Sequence, residues 1–240
     1  MGAVYLGIPK SLAEFIKYEF NVSFFIETGT YLAATALWAS GLFDEVRTIE
    51  LSDTLYRRAV GKYGDVPNIK FFNGSSLVVL NDLLRENLPP SLFWLDAHFS
   101  GDETAGYESA CPLIEEIKLI LDTREEHFIL IDDARLMLAN PPEMLRKTSD
   151  MPVFKDVIEA LDSHGRRYSI VWRDVLISVP YNNKETIYKF ILTQGDIMFF
   201  DAALNFGSCG IGSIVSYWKT ALKGLVHVPG AIARSIKFRL

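Results

Sequence analysis

The stretch FIETGTYLAATA, residues 25–36, joins two patterns with no linker between them. An apolar run ends in Glu27, a glycine follows between Thr28 and Thr30, and alanines and leucines at helical spacing come next. The glycine lets the backbone approach a ligand closely at the point where the strand pattern gives way to the helix pattern. The stretch therefore predicts a buried strand, a tight turn that faces a ligand, and a helix.

The same alternation continues along the chain. Four more apolar runs end in polar residues and are followed by helical segments: EVRTIELS (45–52), NIKFFNGSS (68–76), SLFWLDAHFS (91–100) and HFILIDDAR (127–135). Strands that alternate with helices at this interval indicate a parallel sheet with right-handed crossovers. We expect an α/β fold with a doubly wound, mostly parallel sheet.

The two ends of the chain complete this organisation. Ser11 and Glu14 have the spacing of a capping box, which predicts a first helix over 11–20. YSIVWRDVLISVP (168–180) and ETIYKFILTQ (185–194) are typical of closing strands, and we expect an antiparallel hairpin at one sheet edge. Residues 1–204 are expected to form one domain with its core in 22–180, and 205–240 a separate basic extension.

Composition limits the class of protein. The 240 residues are 49% hydrophobic and 22% charged, and the only cysteines are Cys111 and Cys209. No run of eighteen apolar residues predicts a membrane span, and the first residues do not resemble a secretory signal. Two distant cysteines do not form a disulfide framework. We expect a cytoplasmic protein with reduced thiols.

Charge is distributed unevenly. Residues 205–240 carry five basic residues and no acid, which leaves a net charge of −11 on the first 204 residues. An acidic body argues against nucleic acid as a partner. Within 211–240, apolar and basic residues predict packing on the same domain or a homodimer contact; a peripheral membrane contact is the alternative, weakened because Gly224 and Pro229 interrupt a helix.

Acids gather where the predicted strands end. In a doubly wound sheet, ligands bind at the carboxyl ends of the strands, near the point where the strand order reverses. Carboxylates side by side repel one another, so a purely structural sheet gains nothing from this arrangement. We therefore expect these residues to face a ligand: Glu27, Glu50, Asn73-Gly74-Ser75, Asp96 and Asp132-Asp133.

The positions of Glu27 and Glu50 limit the kinds of ligand that could bind. Glu27 would repel a pyrophosphate at the first turn but would suit a cation. Glu50, after the second strand, lies where such folds hold a ribose, and a carboxylate can accept hydrogen bonds from both ribose hydroxyls. A nucleoside with a positive substituent and no phosphate fits both acids. S-adenosylmethionine (SAM) is such a molecule.

The series ETGT, TIELS, NGSS, FWLDAH and LIDDAR, in this order and spacing, resembles the Rossmann-like class I SAM-dependent methyltransferases over residues 22–180. The resemblance implies that the Glu27–Thr30 turn, with Thr28 and Gly29, meets the methionine part of SAM, that Glu50 takes the ribose, and that Gly74 and Ser75 border the adenine. The chain departs from the family at Ala33, where glycine is common, and at Ser75, where aspartate is frequent.

A closer resemblance links LDAHFSGDETAGYESACPLIEEIK (95–118) to uncharacterised bacterial proteins of this superfamily that carry an LDxHxSG motif. The acids after strands four and five are similar in spacing to those of macrocin- and catechol-type O-methyltransferases. That similarity implies a Mg²⁺ site formed by Asp96, Asp132 and Asp133, with Asp96 also near the cofactor.

The expected reaction is methyl transfer to an oxygen of a small molecule or sugar intermediate. Besides the metal, a second device for the acceptor's proton is His98 as general base, with Asp96 beside it. Each residue also has a structural reading, in which Asp133 bonds the next turn and His98 only orients Asp96. A non-catalytic binding or scaffold protein with this fold is the alternative function; a nucleotide-dependent oxidoreductase is disfavoured by Glu27 and the missing second glycine.

Overall fold

The computed structural model describes residues 7–96, 111–138 and 151–205. Its centre is a seven-stranded sheet of order β3-β2-β1-β4-β5-β7-β6. The first five strands along the chain are parallel, and β7 is antiparallel to both β5 and β6. The strands are β1 (Phe24–Thr28), β2 (Glu45–Glu50), β3 (Ile69–Asn73), β4 (Ser91–Leu95), β5 (Phe128–Ile131), β6 (Arg167–Trp172) and β7 (Val175–Pro180). The predicted doubly wound α/β fold with an antiparallel edge hairpin is confirmed.

Helices connect these strands. They are α1 (Lys10–Glu19), α2 (Ala34–Ser40), α3 (Asp53–Tyr63), α4 (Ser76–Leu84), α5 (Leu113–Leu121), α6 (Ala134–Leu138), α7 (Phe154–Leu161) and α8 (Lys184–Asn205), with a 3₁₀ turn at Tyr181–Asn183. Every residue of β4 and β5 is buried, so both faces of the central sheet are covered. This explains why these strands have continuous apolar sequences rather than alternating ones.

The strand order reverses between β1 and β4. Backbone hydrogen bonds hold the strand ends level: the amide of Asp96 donates to the Thr28 carbonyl at 3.1 Å, and the amide of Asp132 donates to the Leu95 carbonyl at 3.2 Å. On the other side of β1, the amide of Gly29 donates to the Ile49 carbonyl at 3.0 Å. The polar residues after β1, β2, β4 and β5 therefore follow one continuous edge.

The edge hairpin differs in detail from its prediction. Both of its strands come from 167–180, and the turn between them is Arg173–Asp174, where both φ angles are positive, 52° and 66°. The segment 185–194, expected to be a strand, lies in α8 instead. Ile187 and Ile191 are its buried apolar residues, four positions apart, which is helical spacing. β-propensity alone was therefore misleading in this segment.

Helix α1 begins without the predicted capping box. Ser11 lies inside the helix, which starts at Lys10, and the N-cap residue is Pro9. The Pro9 carbonyl accepts hydrogen bonds from the amides of Leu12 and Ala13, at 2.9 and 3.1 Å. The helix itself is present, and its predicted bounds, 11–20, are right to within one residue at each end.

The contacts divide the chain into two compact units, residues 1–187 and 188–240, with the boundary inside α8. In the ranges that the structure describes, no helix combines the length and the apolar character needed to cross a membrane. The basic segment 206–240 lies outside the described residues, so its predicted packing, homodimer and membrane contacts stay predictions.

The turn of the edge hairpin is joined to the end of β5. The Asp174 carbonyl accepts from the amide of Ala134 at 2.9 Å, and its carboxylate accepts from the amide of Arg135 at 2.8 Å. The Arg135 guanidinium pairs with that carboxylate and with Asp133, whose Oδ1 lies 2.5 Å away. The Asp174 side chain is only 6% exposed. This ion-pair cluster fixes where the chain leaves β5.

We expect Asp174→Ala to lower the free energy of unfolding by about 1–2 kcal/mol, because it removes a partly buried charge pair and the carboxylate that accepts from the Arg135 amide. Urea unfolding followed by circular dichroism measures the change. Asp82→Ala is the control: it breaks the exposed pair of Asp82 with Arg85 and should cost less than about 0.5 kcal/mol. Equal costs for the two variants would contradict the role given to Asp174.

Candidate functional site

The turn after β1 has an unusual backbone. Gly29 has φ 90°, and two non-glycine residues that follow, Tyr31 and Ala33, are also left-handed, with φ 46° and 59°. A left-handed conformation costs an L-residue roughly 1–2 kcal/mol. Ala33 is fully buried and precedes α2, at the position where the sequence lacks the common glycine. The backbone at Ala33 therefore has the left-handed conformation that glycine adopts readily, although this conformation is strained for alanine.

Most of the donors in this turn are already used. The amides of Gly29 and Thr30 both donate to the Ile49 carbonyl, at 3.0 and 3.2 Å. The amide of Tyr31 donates to Glu50 Oε2 at 2.9 Å. These three amides fasten the turn to β2 and are not free for a ligand.

Glu27 lies under the turn, only 2% exposed. Its Oε2 accepts a hydrogen bond from Thr48 Oγ1 at 2.7 Å, and Thr48 Oγ1 is 2.6 Å from Thr30 Oγ1. Burial raises the pKa of Glu27 to about 8; the Thr48 hydrogen bond opposes this, and the neighbouring carboxylates of Asp96 and Glu50 add to it. At pH 7, in the absence of a cation, most of this carboxyl is protonated.

Glu50 lies at the end of β2 and is 6% exposed. Its Oε2 accepts from the Tyr31 amide, and its Oε1 accepts from the Ser52 amide at 2.8 Å. A carboxylate has about four lone-pair directions, so two acceptor positions remain for a ligand's hydroxyls. The two backbone bonds fix the orientation of the carboxylate between the first and second strand ends.

The turn after β3 stands beside Glu50. The amide of Gly74 donates to the Glu50 carbonyl at 2.9 Å, and Asn73 Nδ2 donates to the same oxygen at 3.0 Å. Gly74 has φ 140°, which a residue with a side chain rarely adopts. Ser75 is the N-cap residue of α4, yet its hydroxyl makes no capping hydrogen bond. Gly74 therefore lies next to Glu50, and the adenine contact predicted for Gly74 and Ser75 stays a prediction.

The three aspartates predicted to bind Mg²⁺ do not form a ligand set. Asp96 and Asp132 end neighbouring strands, but Asp132 Oδ1 accepts from the Asp133 amide at 2.8 Å, and Asp133 is paired with Arg135. Asp133 also has a left-handed backbone, with φ 57°. Within 7–96, 111–138 and 151–205, no three His, Cys, Asp or Glu side chains converge in a way that could hold a metal ion. The residues present do not fit the predicted metal.

His98 and the polar loop 100–110 lie outside the described residues, so the general-base prediction stays untested.

The described part of the chain adds an acid that sequence reasoning missed. Glu116 in α5 is 1% exposed, and burial raises its pKa to about 7, with the Ser76 and Thr28 hydroxyls opposing the shift. A signal was present: Glu116 shares the helical face of Leu113, Ile117 and Ile120, which are core residues.

No protein-family model matches the chain, and no curated protein is similar to it. Several solved structures resemble it in fold. A Staphylococcus aureus protein assigned as a caffeoyl-CoA O-methyltransferase has a TM-score of 0.52 at 13% identity over 74% of this chain and 86% of its own. A Podospora anserina methyltransferase solved with S-adenosylhomocysteine (SAH) has 0.48 at 19% identity over 71% and 76%. At such identity the first match establishes a Rossmann-like methyltransferase fold, and nothing finer.

The buried Glu27 makes stability depend on pH. Because its pKa rises from 4.5 to about 8 on folding, its stabilising contribution is complete below pH 4.5 and is lost as the pH rises through 8. Glu27→Gln removes this loss, so between about pH 5 and pH 9 its free energy of unfolding should fall less than that of the wild type, by about 1 kcal/mol or more. Urea unfolding at several pH values measures the difference.

Glu14→Gln, at an exposed position of α1, is the matched control and should follow the wild-type pH profile. If Glu27→Gln also follows the wild-type profile, the carboxyl of Glu27 is not held protonated by its burial.

Proposed function

We propose that the protein is a SAM-dependent methyltransferase that methylates an oxygen of a small molecule or sugar intermediate. The observation that carries the proposal is the meeting of three carboxyls, Glu27, Glu50 and Asp96, at the point where the strand order reverses. Asp96 and Glu50 are close enough to Glu27 to raise its pKa. Such a cluster favours a ligand that brings positive charge and hydroxyl donors.

Each part of the cofactor has a counterpart among these residues. The Glu50 carboxylate, already oriented by two backbone amides, would accept the ribose hydroxyls. The Glu27–Thr30 turn, with Thr28 and Gly29, would border the methionine part, and Gly74 and Ser75 the adenine. The fold shared with methyltransferases supports this assignment of roles.

The sulfonium of SAM supplies an activated methyl group, so the chain has only to orient an acceptor and take its proton. Asp96 follows β4, between the ends of β1 and β5, and is the described residue best placed to orient an acceptor beside the methyl. His98 remains our candidate for the base. The aspartates do not fit Mg²⁺, so no step is assigned to a metal.

The acceptor class follows from charge. The net charge of −11 over residues 1–204 disfavours a phosphate backbone and leaves a small molecule as the expected partner. The cytoplasmic location and the homodimer stay predictions.

A non-catalytic binding protein is the second candidate, and one observation favours it. Both oxygens of Glu50 already accept hydrogen bonds from backbone amides, so this carboxylate has hydrogen-bond partners without a ligand. A protein that binds the cofactor without turnover would keep the pocket and lack methyl transfer to any acceptor. Release of SAH from SAM in an acceptor screen separates the two candidates.

Calorimetric titration with SAM and SAH tests the cofactor assignment. We expect micromolar dissociation constants, about −8 kcal/mol, for the wild type. Glu50→Ala should weaken binding at least about tenfold, because it removes charge-assisted hydrogen bonds to the ribose. Glu159→Ala, an exposed acid on α7, is the control and should bind as the wild type does. No heat with either ligand, together with no thermal shift, would overturn the proposal.

Binding of SAM should release a proton. A sulfonium near Glu27 favours the ionised carboxyl, whereas the thioether of SAH carries no charge. Titrations at pH 7 in buffers of different ionisation enthalpy should show release of up to about one proton with SAM, less with SAH, and a smaller SAM–SAH difference in Glu27→Gln. Equal release for both ligands in the wild type would place the sulfonium away from Glu27.

A further inference from the structure

A small cavity opens at the ends of β4 and β5, beside the start of α5. Its walls are mostly apolar or weakly polar side chains: Leu95, Cys111, Leu113, Ile131 and Met151. Two acids, Glu116 and Asp132, are its strongly polar lining residues among those described. The cavity has room for about one water-sized group and is open on one side. It therefore suits a single functional group that projects from a larger ligand.

Glu116, a residue of the cavity wall, has one carboxyl oxygen without a hydrogen-bond partner in the described part of the chain. Among the described residues, Oε1 of Glu116 makes no hydrogen bond, although it is fully buried. Leaving a buried acceptor unpaired costs about 1–3 kcal/mol. The hydroxyl of Thr28, at the end of β1, is near enough to lower the pKa of the same carboxyl, yet it too is buried without a bond of hydrogen-bond length in the described chain. The two polar atoms thus lie near one another, and a further donor could still bond the carboxyl.

The surroundings define what could satisfy these atoms. Among the residues that the structure describes, the charged or titratable groups near the carboxyl are Asp132 and Cys111 on the cavity wall and Glu115 next to it in α5; none of these three is a cation. A carboxyl acceptor repels an anionic group and accepts from an O–H or N–H. The hydroxyls of Ser76 and Thr28 lie on the side of the carboxyl that faces β1 and α4.

We propose that Glu116 forms a ligand subsite that takes a hydrogen-bond-donating group, a hydroxyl or an amine, carried on an apolar ring or chain. The group enters the cavity and donates to the Glu116 carboxyl, and its attached body stays at the open side of the cavity. The donor comes either from the amino group of the cofactor's purine or from the methyl acceptor. Both sources rest on the proposed function, whereas the subsite itself is tested by binding alone.

The test uses Glu116→Met, which keeps the size of the side chain and removes its acceptors. Because it also removes an unsatisfied buried carboxyl, we expect the variant to be at least as stable as the wild type in urea unfolding, so lost binding will not reflect lost folding. The same substitution at exposed Glu115 is the matched control.

The cofactor arm compares SAH with its analogue in which hydrogen replaces the 6-amino group of the purine. The acceptor arm uses benzyl alcohol and benzyl methyl ether as probes, with ligand-observed NMR, with and without SAH. In the arm that matches the true source, the wild type and Glu115→Met should prefer the donor-bearing ligand about fivefold or more, and Glu116→Met should show no preference.

A preference in either arm that depends on Glu116 supports the subsite and identifies its source. The proposal is overturned if the wild type shows no preference in both arms, which would mean that the cavity holds water only, or if Glu116→Met keeps the preference. Should SAH fail to bind the wild type at all, the proposed function fails, and the benzyl alcohol arm still decides the subsite.

Discussion

The parallel pairing of β1 with both of its neighbours is the constraint on which the site depends. Thr28 is level with Ile49 of β2 on one side and with Leu95 of β4 on the other. With the strands in this register, the residues that follow them, Glu50 and Asp96, come within electrostatic range of Glu27. A shift of one residue would turn each side chain to the opposite face of the sheet. The acidic edge is thus a property of the register and not of any single loop.

The chain keeps carboxyls buried here by different means. Glu50 is held by backbone amides, whereas Glu27 and Glu116 have mainly hydroxyl neighbours, and burial raises the pKa of each. A hydroxyl can donate to a carboxylate or accept from a protonated carboxyl, so it tolerates either state. Amides can only donate, and they favour the ionised form. The site therefore combines one acid that is oriented in a single way with two whose protonation can respond to what binds.

Much of the architecture could be predicted from the sequence, since a buried parallel strand leaves a strong signal: an apolar run, a polar end and a helix after it. The five parallel strands and the acids at the ends of four of them were found in this way. The error at 185–194 has a physical cause, because threonine, isoleucine, tyrosine and phenylalanine favour strands, while burial of Ile187 and Ile191 follows a helical period. Tertiary packing decided between the two patterns.

The site was harder to predict, because the spacing of neighbouring residues in the sequence does not reveal hydrogen bonds between segments that are far apart in the chain. Three aspartates near two strand ends are typical of a metal site, but Asp133 pairs with Arg135, which the distant Asp174 also binds. Likewise, the hydrogen bond between Thr30 and Thr48 joins the turn after β1 to β2. Glu116 was the one missed residue with a visible signal, an acid at a core position of a helix.

The left-handed conformations of Tyr31 and Ala33 have a consequence for recognition. The bonds from Gly29, Thr30 and Tyr31 to β2 and the burial of Ala33 hold the turn in a shape that its sequence does not favour. A backbone held in this way has little conformational entropy left to lose when a ligand arrives, so the turn is preorganised. Selection among ligands at this turn then depends on fit to a fixed surface, and a ligand that requires the turn to move must also break its bonds to β2.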